Sequence, residues 1–285
     1  MKFGAIFPQY EVSSDVENIR TFMLEVEAMG YDYVLAYDHI LGANPEREYE
    51  LTGSYTYETQ FHEIFSLFSY ASGITTKLEF ATGILILPQR QTALVAKQAA
   101  QVDLFSGGRL RLGIGVGWNQ VELEGMGEDF STRGRRSAEQ VEVMKLLWQN
   151  ELVRYEGEFH KLDDVGINPL PIQHPIPVWF GGSADAVLKR MAKLGDGWMT
   201  STMPIEGVKP RLEKLHEYLR AEERDPANFG IDPFISLNRL DDPMGTLEQW
   251  QELGATHASI LTMHGGNTTV EEHLAQLEQF IKQVK

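Results

Sequence analysis

Hydrophobic and polar positions follow two periodic patterns along the chain. Short apolar runs, such as Phe3–Phe7 and Tyr33–Tyr37, are each followed by a longer segment in which apolar residues recur every three or four positions. The short apolar runs predict buried strands, and the three-to-four-residue period predicts amphipathic helices. The first helix is expected to begin at Ser14, with Glu17 completing a capping box, and to end at Gly30.

The same alternation continues to the end of the chain. Further strands are predicted at 78–87, 110–114, 178–180, 197–200, 231–237 and 258–262. Helices are predicted at 61–74, 92–105, 133–150, around 188–194, around 212–219, 247–253 and 270–284. Eight strand–helix units without an internal linker are typical of an α/β protein of the (β/α)8 or TIM-barrel class. We therefore expect a single domain over residues 1–285.

Two segments interrupt the alternation. The polar stretch from Gly42 to Gln60 predicts a long loop, and its tyrosines Tyr49, Tyr55 and Tyr57 indicate a cover over a site. Residues 151–176 predict a small hairpin followed by a proline-rich crossing. Because the strand–helix alternation resumes directly afterwards, this segment is interpreted as an insertion rather than a domain boundary.

Composition excludes several classes of function. The chain has 25 Lys and Arg against 41 Asp and Glu, a net charge of −16, which argues against nucleic acid and anionic membranes as partners. The absence of cysteine excludes disulfides, thiolate nucleophiles and cysteine metal sites. No apolar run approaches the ~20 residues of a membrane span, and the apolar start is too short for a signal peptide. We expect a soluble, cytoplasmic protein.

The candidate chemistry lies where predicted strands end, because barrel active sites are built at the carboxyl ends of the strands. Asp38 and His39 end the second strand, and a histidine there can exchange a proton near neutral pH. The alternative is a histidine hydrogen-bonded to its own loop. After the fifth strand, Gly181 and Gly182 permit close backbone approach and Ser183 is expected to cap the next helix, which suits a phosphate. The alternative is an ordinary strand-to-helix turn.

Other barrel chemistries find no support. Metal-dependent hydrolases usually show His-x-His after the first strand, where this chain has Phe7-Pro8-Gln9. Glycosidases need two carboxylates at strand ends, and Asp38 is the one clear candidate. The Gly-Val-Gly of residues 115–117 lacks the spacing of a dinucleotide fingerprint. No metal site is predicted, and most of the remaining histidines are expected at the surface: His62, His160, His174, His216, His257, His264 and His273.

Taken together, these motifs resemble the bacterial luciferase-like monooxygenase superfamily, most closely the branch of coenzyme F420-dependent oxidoreductases. The similarity covers nearly the whole chain in the right order. The segments that carry it are 30–34 with 38–39, 83–90, 96–100, 104–109, 113–119 and 177–183.

The resemblance implies a homodimeric barrel that holds a deazaflavin or flavin ring in its mouth. His39 would assist hydride transfer, and the Gly181–Gly182 turn would hold the cofactor phosphate. It also implies a cis peptide bond on the third strand, placed by position at Gly83–Ile84. The further residues expected to contact the cofactor are Asp38, Thr82, Gly83, Ile84, Gly115, Asn119 and Ser183.

One position departs from the family pattern. Val116 stands where several sugar-phosphate and alcohol dehydrogenases of the family carry an acid–base glutamate, which puts the sugar-phosphate reaction in doubt. The leading hypothesis is hydride transfer between coenzyme F420 and a small organic substrate. The alternatives are an FMN-dependent monooxygenase using reduced flavin and oxygen, or a catalytically silent flavin-binding homologue. A dimer face is expected on the second and third helices, around Phe61, Ile64, Phe65, Phe68 and Leu94.

Overall fold

A computed structural model describes residues 1–48, 53–201 and 203–285. Tyr49, one of the predicted cover tyrosines, lies outside these ranges. The strands formed by the described residues are β1 (Lys2–Ile6), β2 (Tyr33–Ala36), β3 (Glu79–Thr82), β4 (Leu85–Ile86), β5 (Leu110–Gly115), β6 (Val153–Glu156), β7 (Lys161–Val165), β8 (Val178–Gly181), β9 (Gly197–Thr200), β10 (Gly230–Ser236) and β11 (His257–Leu261). Their helices are α1 (Val16–Ala28), α2 (Ile64–Ile74), α3 (Thr92–Ser106), α4 (Gln120–Gly125), α5 (Arg133–Gln149), α6 (Asp185–Leu194), α7 (Ile205–Ala221), α8 (Pro243–Glu252) and α9 (Val270–Val284).

Nine of these strands form one sheet in the order β3-β2-β1-β11-β10-β9-β8-β5-β4. A further pairing between β3 and β5 closes the sheet on itself. Strands β3 and β4 lie on either side of Gly83–Ile84 and together form one interrupted strand. Counted in this way, the barrel has eight parallel strands. The predicted TIM barrel is therefore confirmed. The hairpin β6–β7 lies within the predicted insertion and pairs antiparallel.

The strands of the barrel are buried on both faces, which explains their nearly continuous apolar runs. Along β1, Phe3 and Ala5 belong to the large apolar cluster that packs against the helices. Ile6 belongs instead to a smaller cluster that fills the inside of the barrel with Tyr33 and Trp179. The alternation follows from the two-residue period of a strand.

The inside of the barrel also holds a polar network. The Arg111 guanidinium pairs with Asp232 at 2.9 Å and lies between two aromatic rings, 4.5 Å from the centre of Tyr33 and 4.3 Å from that of Trp179. The Tyr33 hydroxyl donates to the same carboxylate at 2.9 Å. The ion pair and this hydrogen bond thus offset the free-energy cost of burying the two charges.

Several predicted elements differ in their bounds, and three of the differences have a local cause. The predicted strand 78–87 is broken, because the chain bends at Gly83–Ile84 and forms a 3-10 turn at Leu87–Gln89. Helix α1 is capped by Asp15 rather than Ser14, since the Asp15 carboxylate accepts the Glu17 amide at 3.0 Å. Helix α2 begins at Ile64, three residues later than predicted, where the Glu63 carboxylate accepts the Ser66 amide.

The predicted dimer face is wrong for three of its residues. Ile64, Phe65 and Phe68 are at most 3% exposed, because that side of α2 packs inward, with the Phe68 ring 5.2 Å from Phe80. Leu94 on α3 is 53% exposed and remains available for contact.

His273 differs from the expected surface position. It is fully buried on α9, and its Nδ1 lies 2.8 Å from the Thr262 hydroxyl. Burial lowers the pKa of His273 to about 4, so the imidazole is neutral at physiological pH. Among the residues that the structure describes, no helix has both the length and the apolar character needed to cross a membrane.

Candidate functional site

Three connected cavities open at the carboxyl ends of the barrel strands. The largest, called the main cleft, has a volume of about 340 Å³. The main cleft is lined by Gly83, Ile84, Gly115, Val116, Gly117, Trp118, Gly181, Gly182, Val187, Met199, Thr200, Ser201 and Phe234. A side cavity of about 190 Å³ shares four of these residues and adds Tyr37, Asp38, His39, Tyr55 and Ile86. A loop cavity of about 120 Å³ lies beyond His39, beneath residues 55–61.

The peptide bond between Gly83 and Ile84 is cis, as the resemblance implied. The Ile84 side chain lies against the glycines of two neighbouring strands. A Cβ atom on Gly115 would lie 2.5 Å from Ile84 Cδ1, and one on Gly181 would lie 2.9 Å from Ile84 Cγ2. Larger residues at these two positions would displace Ile84 into the main cleft, so the glycines keep it open.

His39 separates the side cavity from the loop cavity and lines both. Its side chain is 9% exposed and its ring centre lies 5.1 Å from Tyr55, 4.8 Å from Phe61 and 5.7 Å from Trp118. Its Nδ1 lies 2.8 Å from Oε2 of Glu122. The imidazole is therefore held by aromatic packing and by one carboxylate.

Glu122 lies on α4 and is completely buried. Its second oxygen accepts the backbone amides of Ile40 at 2.5 Å and Leu41 at 3.3 Å, and the Gln89 side-chain amide at 3.2 Å. Burial raises the pKa of Glu122, but the hydrogen bonds from His39 and from the two backbone amides outweigh it, so its pKa lies below the usual range. Glu122 is ionised at neutral pH.

The Asp38 carboxylate turns toward the barrel wall. It pairs with Arg90 at 2.7 Å and accepts the backbone amide of Ile86 at 3.0 Å. Burial raises the pKa of Asp38, and the charge of Arg90 offsets part of that rise. Asp38 lines the side cavity, but both of its oxygens already have partners within the chain.

The structure brings five of the predicted cofactor residues together in the main cleft: Gly83, Ile84, Gly115, Gly181 and Gly182. The other four lie outside its lining, with Asp38 in the side cavity as described above. Thr82 is buried and donates to the Gly113 carbonyl at 2.6 Å, while Asn119 is 3% exposed and its Oδ1 has no hydrogen-bond partner in the part of the chain that the structure describes. Ser183 is not a helix cap, because the extended residue Ala184 holds the N-cap position and α6 begins at Asp185.

Glu122 and the pairing of Arg90 with Asp38 were not predicted from the sequence, and Thr200 was placed at a strand end but given no role. Helix α4 is too short to show an apolar period, so Glu122 gave no signal beyond its place after Asn119. Thr200 ends β9, and its hydroxyl is buried in the wall of the main cleft, where no described residue forms a hydrogen bond with it. Its position at a strand end was the one available sign.

The sequence profile of the luciferase-like monooxygenases matches residues 1–242. The chain belongs to this family. The family assignment made from the motifs is thereby confirmed.

Several relatives and solved structures are similar to this luciferase-like chain. A protein of Mycobacterium tuberculosis whose function is uncharacterised is 36% identical over 190 residues, covering 64% of this chain and 65% of the relative. An FMNH(2)-dependent dimethylsulfone monooxygenase of Pseudomonas putida is 27% identical over 231 residues, covering 80% of this chain and 60% of the relative. The matches thus span slightly less than two thirds of the relatives' lengths.

Two solved structures share the fold over nearly their full lengths. An F420-dependent secondary alcohol dehydrogenase, solved with an F420-acetone adduct, has a TM-score of 0.78 at 18% identity, covering 100% of this chain and 99% of the other. A coenzyme F420-dependent tetrahydromethanopterin reductase of Methanopyrus kandleri has a TM-score of 0.75 at 16% identity, covering 98% and 97%. At these identities the likeness shows the fold alone.

Proposed function

We propose that this protein binds coenzyme F420 in the main cleft and passes a hydride between it and a small organic substrate in the side cavity. The observation that carries the proposal is the place of His39. It lines the side cavity, which shares Gly83, Ile84, Gly117 and Trp118 with the main cleft. A small molecule in the side cavity would therefore touch both the imidazole and a ring held in the main cleft.

The main cleft fits a flat ring. Its walls are largely apolar, with Ile84, Val116, Met199 and Phe234, and the glycine at 115 leaves room that a Cβ would fill. The buried Thr200 hydroxyl has no hydrogen-bond partner within residues 1–48, 53–201 and 203–285 and is offered to a polar edge of the ring. An apolar slot with few placed polar groups is typical of cofactor sites.

The turn after β8 fits the cofactor phosphate. Gly182 has a φ of 101°, which a residue with a side chain rarely adopts. Helix α6 begins at Asp185, and the residue at its N-cap position, Ala184, has no side chain that can cap it. The start of a helix favours an anion, so this turn replaces the predicted serine cap as the feature that supports phosphate binding.

The reduced coenzyme supplies the hydride, and the protein supplies orientation and a proton. In the reducing direction the doubly protonated His39 ring gives its Nε2 proton to the substrate oxygen as the hydride reaches the adjacent carbon, and the neutral ring that remains keeps its proton on Nδ1. In the oxidising direction His39 takes that proton back. Val116 offers no acid or base, so His39 carries this role in the described site.

A flavin monooxygenase is the second candidate. Its support is the 27% identity over 80% of this chain with the Pseudomonas dimethylsulfone monooxygenase. The main cleft would admit the isoalloxazine ring of FMN as well as a deazaflavin, because the two rings have the same shape. A silent flavin-binding role is the third candidate, and it requires a ring to bind while His39 has no effect.

The deciding experiment is a pair of titrations of the purified protein with coenzyme F420 and with FMN, followed by quenching of tryptophan fluorescence. Trp118 lines the main cleft and reports on its occupation. Preferential binding of F420 supports hydride transfer. Preference for FMN supports the monooxygenase, to be followed by oxygen consumption with a flavin reductase. If neither binds, both enzyme proposals fail.

We also propose a cytoplasmic homodimer, an expectation drawn from the family resemblance. The side chains available for the contact on α3 are Leu94 and Phe105, which are 53% and 59% exposed.

A further inference from the structure

We propose that Glu122 is a positioning residue for His39. It keeps the proton of the neutral imidazole on Nδ1 and so leaves Nε2 as the atom that exchanges a proton with the substrate. The catalytic consequence rests on the proposed function, whereas the tautomer itself is a property of the protein without cofactor.

The hydrogen bonds around Glu122 define its state. Its Oε2 lies 2.8 Å from His39 Nδ1, and its Oε1 receives Ile40 N, Leu41 N and Gln89 Nε2 at 2.5, 3.3 and 3.2 Å. The backbone amides can only donate, so Oε1 accepts. An ionised carboxylate has no proton to give, and Glu122 has a pKa below its usual range. His39 Nδ1 must therefore be the donor.

This pairing decides which imidazole nitrogen faces the substrate. A neutral imidazole carries one N–H, and when that N–H is on Nδ1, Nε2 has a free lone pair. Within the described ranges, Nε2 of His39 makes no hydrogen bond, while the ring lines the side cavity. Contacts with Tyr55 and Phe61 hold the ring plane in place.

Neighbouring carboxylates cannot take this role. Asp38 precedes His39, but Arg90 and Ile86 N occupy its oxygens. Glu124 is exposed on the same short helix, and the Gln120 side chain donates to it at 2.6 Å. Glu124 thus provides a matched control, a carboxylate of equal size two residues from Glu122 and away from the imidazole.

The first test is long-range ¹H–¹⁵N NMR of the histidine rings in the cofactor-free protein, with His39 assigned by its loss in His39→Gln. We expect the neutral wild-type ring to carry its proton on Nδ1. The Glu122 carboxylate accepts from four donors: His39 Nδ1, Ile40 N, Leu41 N and Gln89 Nε2. In Glu122→Gln the side chain has one acceptor oxygen and an NH2 group in place of the two carboxylate oxygens. The NH2 facing Nδ1 then makes this nitrogen an acceptor and moves the proton to Nε2. Glu124→Gln is expected to leave the wild-type tautomer unchanged.

Two results would overturn the proposal. One is an Nε2–H tautomer in the wild type, which decides the matter even if Glu122→Gln fails to fold. The other is a folded Glu122→Gln protein that keeps Nδ1–H, which would leave Glu122 with a role only in holding residues 40–41.

The second test compares turnover with cofactor binding. If His39 acts as the acid–base group, Glu122→Gln lowers kcat by about 100-fold or more, while the Kd of the cofactor changes by less than about twofold, since Glu122 does not line the main cleft. Equal losses in kcat and cofactor binding would contradict a positioning role. If F420 does not bind at all, the proposed function fails, but the NMR result still tests the pairing of Glu122 with His39.

Discussion

Asp38 and Arg90 form an ion pair of 2.7 Å in which the Asp38 carboxyl is almost completely buried, with the Arg90 side chain 9% exposed. The pair joins the end of β2 to the segment after β4, and Ile86 donates its amide to the same carboxylate. The arrangement holds the segment beside the Gly83–Ile84 bond against the second strand. Contact between Asp38 and the cofactor ring stays a prediction. In the structure Asp38 also holds the wall of the site in place through these two contacts.

Removal of Arg90 should destabilise the protein. Arg90→Gln leaves the buried Asp38 carboxylate without its cation, which we expect to lower the free energy of unfolding by about 3–5 kcal/mol. The double variant Asp38→Asn/Arg90→Gln should recover part of this loss, because no charge stays buried. Urea unfolding measures both. A single variant as stable as the wild type would show that the pair does not support the wall.

Replacement of His39 should separate chemistry from binding. His39→Gln removes the proposed acid–base group, so kcat is expected to fall about 10²–10⁴-fold with the preferred cofactor. The Kd of the cofactor should change little, because His39 lines the side cavity rather than the main cleft. His216→Gln on the outer helix α7 is the control. Unchanged turnover with a bound ring would favour the silent homologue.

Gly115 should control entry to the main cleft. In Gly115→Ala the new Cβ meets Ile84 Cδ1 at 2.5 Å, so the Ile84 side chain must shift into the space proposed for the ring. We expect cofactor affinity to fall at least about tenfold, equivalent to about 1.4 kcal/mol. Gly73→Ala is the control, because its Cβ would meet nothing within 4 Å. Equal binding by both variants would contradict a ring in this cleft.

The buried His273 should make stability depend on pH. Burial holds its folded-state pKa at about 4, below the ~6.5 of an unfolded histidine. Between these values the unfolded chain binds a proton that the folded chain does not, so stability falls as the pH drops through this window, by up to about 1.4 kcal/mol per pH unit. His273→Asn should flatten the dependence measured by chemical denaturation at pH 7 and pH 4.5. An identical slope in the variant would contradict this assignment.

The oligomeric state can be tested at α3. We expect light scattering at micromolar concentration to give the mass of a dimer. Leu94→Glu and Phe105→Glu place charges on the exposed apolar positions of this helix and should shift the protein toward the monomer. A wild-type monomer would refute the dimer, and a dimer that both variants leave intact would move its interface elsewhere.

Much of the fold could be predicted from local pattern. The strand at 197–200 and the helix at 270–284 were predicted with the bounds that the structure has, because each is buried along its whole length or along one face. Where a local rule offered two solutions, the prediction was wrong. Ser14 and Asp15 can both cap a helix, and only the surrounding chain selects Asp15.

The sequence by itself determined the barrel, the family and the strand ends where the site would lie, since these depend on periodicity and on short contiguous motifs. Only the tertiary structure decided which groups meet there. Glu122 and His39 are 83 positions apart, and Asp38 and Arg90 are 52 apart. In neither pair does the sequence around one residue indicate which distant residue it will contact. Their contacts form because closing the sheet brings distant strand ends to one rim, where burial makes each charge depend on a partner.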